Sequence, residues 1–278
     1  MPAVWCDKET GRLYAKWFDT RNVPTSDSAE VYASYSDNGG VTWAANQNLS
    51  TSKFKIDCSS CGGGGTPRYQ GDYDAVISNS VTSLNVWSDF RFGTFGSFVA
   101  YFPDFAMTIS NTADTVKPDG SVNVTLKVPS VKLYDNTVKF SAESVPPANF
   151  IYQFPQGDSL TSYPDSVLLT INANNVPEDN YIIRIFGKGP NGTPVHQRDF
   201  ELLVTNPVIN IIQPNGGDVL YVGTLYPIRW EKIFVDLVKI EYSADGGINW
   251  NMIADGVDAN NISVSDEDSP SASDQYNW

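Results

Sequence analysis

Apolar and polar residues alternate at period two along most of this chain. The segments "RLYAKWFD", "SLNVWSDF", "SVNVTLKV", "SVLLTINA", "NYIIRIFG" and "LVKIEYSA" all read this way. Successive strand side chains point to opposite faces, so each segment is the pattern of a strand with one buried face. No segment carries the 3.6-residue apolar spacing of a long amphipathic helix. The pattern predicts an all-β fold of short strands. The punctuation agrees, with 21 Gly and 17 Pro and with turn sequences such as Pro118-Asp119-Gly120 and Asn191-Gly192.

The strands fall into groups. "LYAKWFDTR" and "LNVWSDFR" share Trp-x-Asp-x-Arg at Trp17, Asp19 and Arg21 and at Trp87, Asp89 and Arg91. Each copy follows a short strand ("PAVWCD", "YDAVISN") and precedes another ("EVYASYSD", "SFVAYFPD"). Three or four short strands per repeat is the make-up of a propeller blade, and a closed ring needs four to eight blades. The first module, 1–105, therefore reads as incomplete propeller blades. The Trp-x-Asp-x-Arg residues are expected to form blade-to-blade ion pairs.

From about Phe105 the aromatic-rich sequence gives way to strands near 121–129, 137–143, 149–154, 166–172, 180–187 and 197–205. Six or seven strands in about 100 residues is the expectation for an immunoglobulin-like sandwich, here 106–205. Asn206-Pro207 marks a stiff linker. The module 207–278 reads as a second such sandwich. It runs to "QYNW", where an inner strand is expected, so a last strand is expected to be missing or supplied from elsewhere.

Composition narrows the function classes. Hydrophobic residues make up 41% of the chain, enough to form cores. The formal net charge of −14 would be repelled by phosphate backbones, which argues against nucleic acid as a partner. Acidity serves solubility first. Two oxygen-rich loops, "DGVDANN" from Asp255 and "SDEDSPSASD" from Ser265, could take Ca2+, but neither has EF-hand spacing. No cofactor is expected otherwise.

Cys58 and Cys61 form a CxxC beside "GGGG", with Cys6 far upstream. A structural zinc site usually needs four ligands, and the single histidine, His196, lies far away. A loop disulfide and free thiols both fit. No apolar run reaches membrane-spanning length, and "MPAVWCDKETG" lacks the apolar region of a signal peptide. The chain reads as a piece of a larger secreted protein.

A turn occurs twice: "SDNGGVTW" (Ser36, Asn38, Gly40, Trp43) and "SADGGINW" (Ser243, Asp245, Gly247, Trp250). It resembles the Asp-box of bacterial neuraminidase repeats, Ser-x-Asp-x-Gly-x-Thr-Trp, with Asn38 in place of the usual Asp and Asn249 in place of the Thr. With "GRLYAKWFDTRN", "YQGDYDAV" and "VWSDFRFG", residues 1–105 resemble the last blades of secreted sialidase-like repeat proteins. Residues 106–205 resemble bacterial immunoglobulin-like modules. Residues 207–278, with "IQPNGGDVLYVGTLYPIRW" and "VKIEYSADGGINW", resemble a Ser-Thr-rich immunoglobulin-like module of large secreted bacterial proteins.

The resemblance implies that the turn is a hairpin fastener away from any active centre. Physical chemistry supports that role: a short polar side chain caps turn amides, glycines allow positive φ, and the Trp packs beneath.

Sialidase chemistry needs arginines to grip a sugar carboxylate bidentately. The candidates are Arg21, Arg68 and Arg91 with Asp19, Asp72, Tyr73 and Asp89. Arg68, Tyr69, Asp72, Tyr73 and Arg91 are the expected ligand-binding set, because "PRYQGDY" leads into a strand that could face a propeller centre. Tyr69, Tyr73, Phe92, Phe95 and Phe98 could stack on sugars. No catalytic residue is assigned. A single histidine and the lack of a Gly-x-Ser-x-Gly elbow speak against a Ser-His-Asp hydrolase.

The function expected is structural, adhesive or carbohydrate-presenting, in a secreted or cell-surface bacterial protein whose partners are glycans or other extracellular modules. Two alternatives stand beside it. One is the C-terminal part of an exo-glycosidase that needs further blades. The other is an extracellular filament subunit that associates through open sheet edges.

Overall fold

A computed structural model describes residues 2–23, 28–55, 74–93, 96–221 and 223–260, and the backbone of 274–277. Among them the only helical element is a single 3-10 turn, Pro190–Gly192, and all else regular is strand, so the all-β expectation holds.

The first sheet comprises β1 (Ala3–Cys6), β2 (Leu13–Asp19), β3 (Ser28–Ser36), β4 (Gln47–Asn48) and β5 (Phe54–Lys55). Its order is β1-β2-β3-β4, with β5 also on β3. The second sheet is an antiparallel meander of β6 (Ala75–Ser78), β7 (Ser83–Asp89) and β8 (Gly96–Phe102). One buried cluster joins them, including Tyr14, Val31, Ala33, Val76, Trp87 and Phe102.

The next nine strands are β9 (Thr108–Ile109), β10 (Ala113–Val116), β11 (Ser121–Val128), β12 (Val138–Val145), β13 (Phe150–Gln153), β14 (Ser159–Leu160), β15 (Asp165–Ala173), β16 (Asp179–Lys188) and β17 (Val195–Val204). They form two sheets, β10-β17-β16-β12-β14 and β13-β15-β11-β9. The alternation read from the sequence sets the core: Val122, Val124, Leu126 and Val128 of β11 and Val167, Leu169 and Ile171 of β15 meet Tyr181, Ile183 and Ile185 of β16 and Phe200, Leu202 and Val204 of β17. Phe105 and Met107 join this core. Gly187 makes room for them, since a Cβ there would lie 3.1 Å from both Phe105 Cε2 and Met107 Sδ.

The last strands are β18 (Val208–Gln213), β19 (Pro227–Ile233), β20 (Leu237–Tyr242), β21 (Asn251–Asp258) and β22 (Asp274–Asn277). They form a three-stranded sheet, β18-β19-β22, and a hairpin, β20-β21. The "QYNW" segment is not an inner strand: β22 pairs with β19 and stands at the sheet edge. Burial here is sparse. Trp230, Ile240 and Ala259 are buried, whereas Ile209, Ile211, Leu220 and Tyr242 stay exposed.

Candidate functional site

Each Trp-x-Asp-x-Arg copy folds into the same constellation at the end of its central strand. Trp17 Nε1 donates to Asp19 Oδ2 at 2.7 Å, and Trp87 Nε1 donates to Asp89 Oδ2 at 2.9 Å. The Arg21 guanidinium lies 2.6 Å from Asp19, and that of Arg91 lies 2.5 Å from Asp89. A backbone N–H from each arginine also reaches the same carboxylate. Trp17 stacks on Tyr32 across the strand pair, as Trp87 does on Phe98. Each guanidinium then covers the cross-strand ring, 4.3 Å above Tyr32 and 3.9 Å above Phe98.

The ion pairs therefore close within a repeat and do not bridge blades. Two residues along an extended strand end is a span the arginine side chain can fold back over. The Arg21 guanidinium, with burial opposing and Trp17 helping, holds the Asp19 carboxyl at about 2.

What does cross between the sheets is different. Lys16 is fully buried, with Nζ donating to the Val86 carbonyl at 2.8 Å and lying 3.0 Å from Asp74 Oδ2. Burial pushes its pKa down, against the pull of the Asp74 carboxylate. Trp5 Nε1 donates to Ser78 Oγ at 2.9 Å. The Asp7 carboxylate, nearly buried, accepts from Thr10 of its own turn and from Ser78 and Ser80 of the second sheet. Sequence reading missed both Lys16 and Asp7. The Asp-x-x-Thr of "DKET" is a usable signal for a capped turn, but nothing local marks Lys16.

Of the expected ligand set, Arg68, Tyr69, Asp72 and Tyr73 lie outside the described residues, as do Cys58, Cys61 and Phe95. Arg91 is held by Asp89, Thr51 and the Phe98 ring. That leaves Phe98 with one face covered, and Phe92 exposed beside it.

The two Asp-box-like turns share the hydrogen bonds that close them. Ser36 Oγ accepts from Gly40 N at 2.9 Å, and Ser243 Oγ from Gly247 N at 2.8 Å. Asn38 Oδ1 accepts from Thr42 N, and Asp245 Oδ1 from Asn249 N, both at 2.9 Å. Gly40 and Gly247 both have φ of 89°, a region open mainly to glycine. Trp43 Nε1 and Trp250 Nε1 donate to the carbonyls of Gly40 and Gly247. Both rings stay exposed, so each Trp laces the turn from outside; it is not the buried anchor the sequence suggested.

His196 Nε2 lies 2.7 Å from Asp104 Oδ1, and its ring meets Phe105 edge-on at 4.7 Å. Lys132 Nζ lies 3.4 Å from the other Asp104 oxygen. These residues brace the chain where it enters the nine-stranded part. Among the described residues, no three His, Cys, Asp or Glu side chains gather as a metal cluster would; residues 255–258 of "DGVDANN" belong to strand β21 and not to a loop, and Asp258 accepts from Asn260 N. The "SDEDSPSASD" loop lies almost wholly outside the described residues. A groove of about 340 Å³ opens between the last sheet and hairpin, lined by Ile209, Ile211, Ile228, Trp230, Ile240 and Ile253. No helix of the described residues is long and apolar enough to cross a membrane.

No family model matches the chain, and no curated protein matches it. Among solved structures, it is similar to domains 4 and 5 of the S-layer protein SbsC, at 12% identity and a TM-score of 0.28, over 45% of this chain and 65% of that one. Domains 1–6 of the surface layer protein SbsC give 11% identity and a TM-score of 0.28, over 92% of this chain and 36% of that one. At identities this low and overlaps this loose, the likeness carries no argument for this chain.

Proposed function

We propose that this chain is a non-catalytic structural region of a secreted or cell-surface protein, which spaces or presents other modules. In this reading its first two sheets are propeller-type blades and the rest are immunoglobulin-like modules. Support for the blades comes from the repeated constellation and from the packing of one sheet on the next. Support for an immunoglobulin-like topology comes from β10, which pairs in parallel with the last strand, β17, while its neighbours run antiparallel.

One observation carries the non-catalytic reading. The acids and bases singled out above are each closed on a structural partner. Asp19 and Asp89 hold their own arginines, Asp7 holds two sheets together, and Asp104 holds His196. Each is a fastening with its partner in place, and the 340 Å³ groove is lined by none of them.

The test is a turnover and binding panel. The purified chain is incubated with fluorogenic sialosides and neutral glycosides, and titrated calorimetrically with sialylated and neutral glycans. The expected result is neither turnover nor heat. Turnover that disappears in Arg68→Ala or Arg91→Ala would overturn the reading, and binding of one glycan class would replace it with a carbohydrate-recognition role.

A further inference from the structure

The register of the first two sheets fixes which of their residues are equivalent. Trp5, Tyr14 and Tyr35 lie side by side across β1, β2 and β3, as Ile77, Leu84 and Tyr101 do across β6, β7 and β8. One step along, Ala3, Lys16 and Ala33 match Ala75, Val86 and Val99. These residues form what can be called the front of each sheet. The back carries Val4, Ala15, Trp17 and Tyr32 in the first sheet, matched by Val76, Asn85, Trp87 and Phe98 in the second.

The sheets stack front on back. Tyr14, Val31 and Ala33 from the front of the first share one core with Val76, Trp87 and Phe102 from the back of the second. Tyr35 meets Phe102 at 6.0 Å, and Lys16 reaches Val86 from the same side. Two faces are left over. On the front of the second sheet, Ile77 is 50% and Val99 64% exposed, although the equivalent Ala33 is buried. On the back of the first, Val4 is 63% exposed, whereas its equivalent Val76 is 5% exposed. Trp17 is half-buried where Trp87 is fully buried.

We infer that two copies of this chain associate by repeating this internal contact. The back of one copy's first sheet, around Val4 and Trp17, seats on the front of the other's second sheet, around Ile77 and Val99. The chain already contains one such contact between equivalent faces, and the unpartnered pair presents the same residue positions. Charge favours the same surface. The front patch of Ala75, Ile77, Leu84, Val86, Val99 and Tyr101 has no charged residue; on the back Asp19 pairs with Arg21, and Glu30 opposite Asp19 is buried and accepts from Asn22 and Asn48. In a chain of net charge −14 these faces meet with the least repulsion. An apolar patch of this kind marks an interaction surface. Two different faces meet, so the contact is heterologous: each association leaves one of each face free, and assembly runs to a ring or a filament.

Sedimentation velocity of the full chain over a wide concentration range tests this. The native chain is expected to associate beyond a dimer. Val99→Lys and Val4→Lys each place a charge in one face at an exposed position while reducing the chain's overall negative charge. Each alone is expected to raise the concentration at half-association about tenfold or more, because an unpaired charge would be buried in the contact. Mixed one to one, the two variants are expected to form a dimer that grows no further, since together they offer one intact pair of faces. Ile211→Lys, on the exposed strand β18, should leave association unchanged. A native chain that stays monomeric would overturn the inference. So would association that survives both face variants and is lost in Ile211→Lys. Circular dichroism of each variant separates loss of contact from loss of fold. This outcome is independent of the glycan panel, so either reading can fail alone.

Discussion

Five hydrogen bonds converge on the Asp7 carboxylate, from Glu9 N, Thr10 N, Thr10 Oγ1, Ser78 Oγ and Ser80 N. Burial acts to raise its pKa, but these donors favour the ionised form and hold it well below the ordinary Asp value. A carboxylate with a depressed folded pKa stabilises fully above the unfolded pKa, near 3.8, and loses that contribution as pH falls through the folded value. Urea unfolding between pH 6 and pH 2 should therefore show stability falling below about pH 4. Asp7→Asn should be less stable near neutrality and should lose less over the acid range. Equal acid sensitivity in both proteins would count against this role. The sequence reading missed Asp7, because its decisive donors, Ser78 and Ser80, are about seventy residues away. Arg91 was legible as a functional-looking residue, but its ion-pair partner lies two positions back, and only its hydrogen bond to Thr51 Oγ1, between β4 and β5, reaches the first sheet.

The elements most legible in the sequence are those with local determinants. Both Asp-box-like turns set their own geometry within eight residues, so their hydrogen bonds follow from spacing alone. Their differences also compensate. Asn38 donates its amide to Thr42 Oγ1 at 2.8 Å, whereas Asp245 accepts from the Asn249 amide at 2.6 Å. Each pair keeps one donor facing one acceptor. Asn38→Asp should thus be nearly neutral, since the carboxylate still accepts from Thr42 N and the threonine hydroxyl can turn to donate. Asn38→Ala removes the acceptor and should cost about 1 kcal/mol in chemical denaturation. Equal stability of Asn38→Ala and the native chain would show the turn to be held by its glycines and Trp43 alone. By contrast, β9, β10 and β14 escaped the sequence reading. They are two to four residues long, too short for alternation to show, and β10 exists through its parallel pairing with distant β17.

Across the whole molecule, core size grades the parts. The nine strands from β9 to β17 enclose a cluster of 23 buried apolar residues, and the first two sheets share one of 9. Among the described residues of the last part only Trp230, Ile240 and Ala259 reach that level of burial. Burial of apolar surface is the main favourable term in folding, so local stability should follow the same order. The thinness of the last core was not legible in the sequence. β18 is as apolar as the inner strands, yet five of its six residues are exposed. A strand's composition states what it can bury, and whether a second layer covers it depends on the rest of the chain. Hydrogen exchange should accordingly find the slowest amides in β11, β15, β16 and β17 and the fastest strand amides in β18, β20 and β21. Calorimetry should give more than one transition, with a calorimetric enthalpy above the van't Hoff value. A single two-state transition with uniform protection would mean that contacts between the parts, such as the Asn79 amide to Thr193 Oγ1 and His196 to Asp104, couple them more strongly than their separate cores divide them.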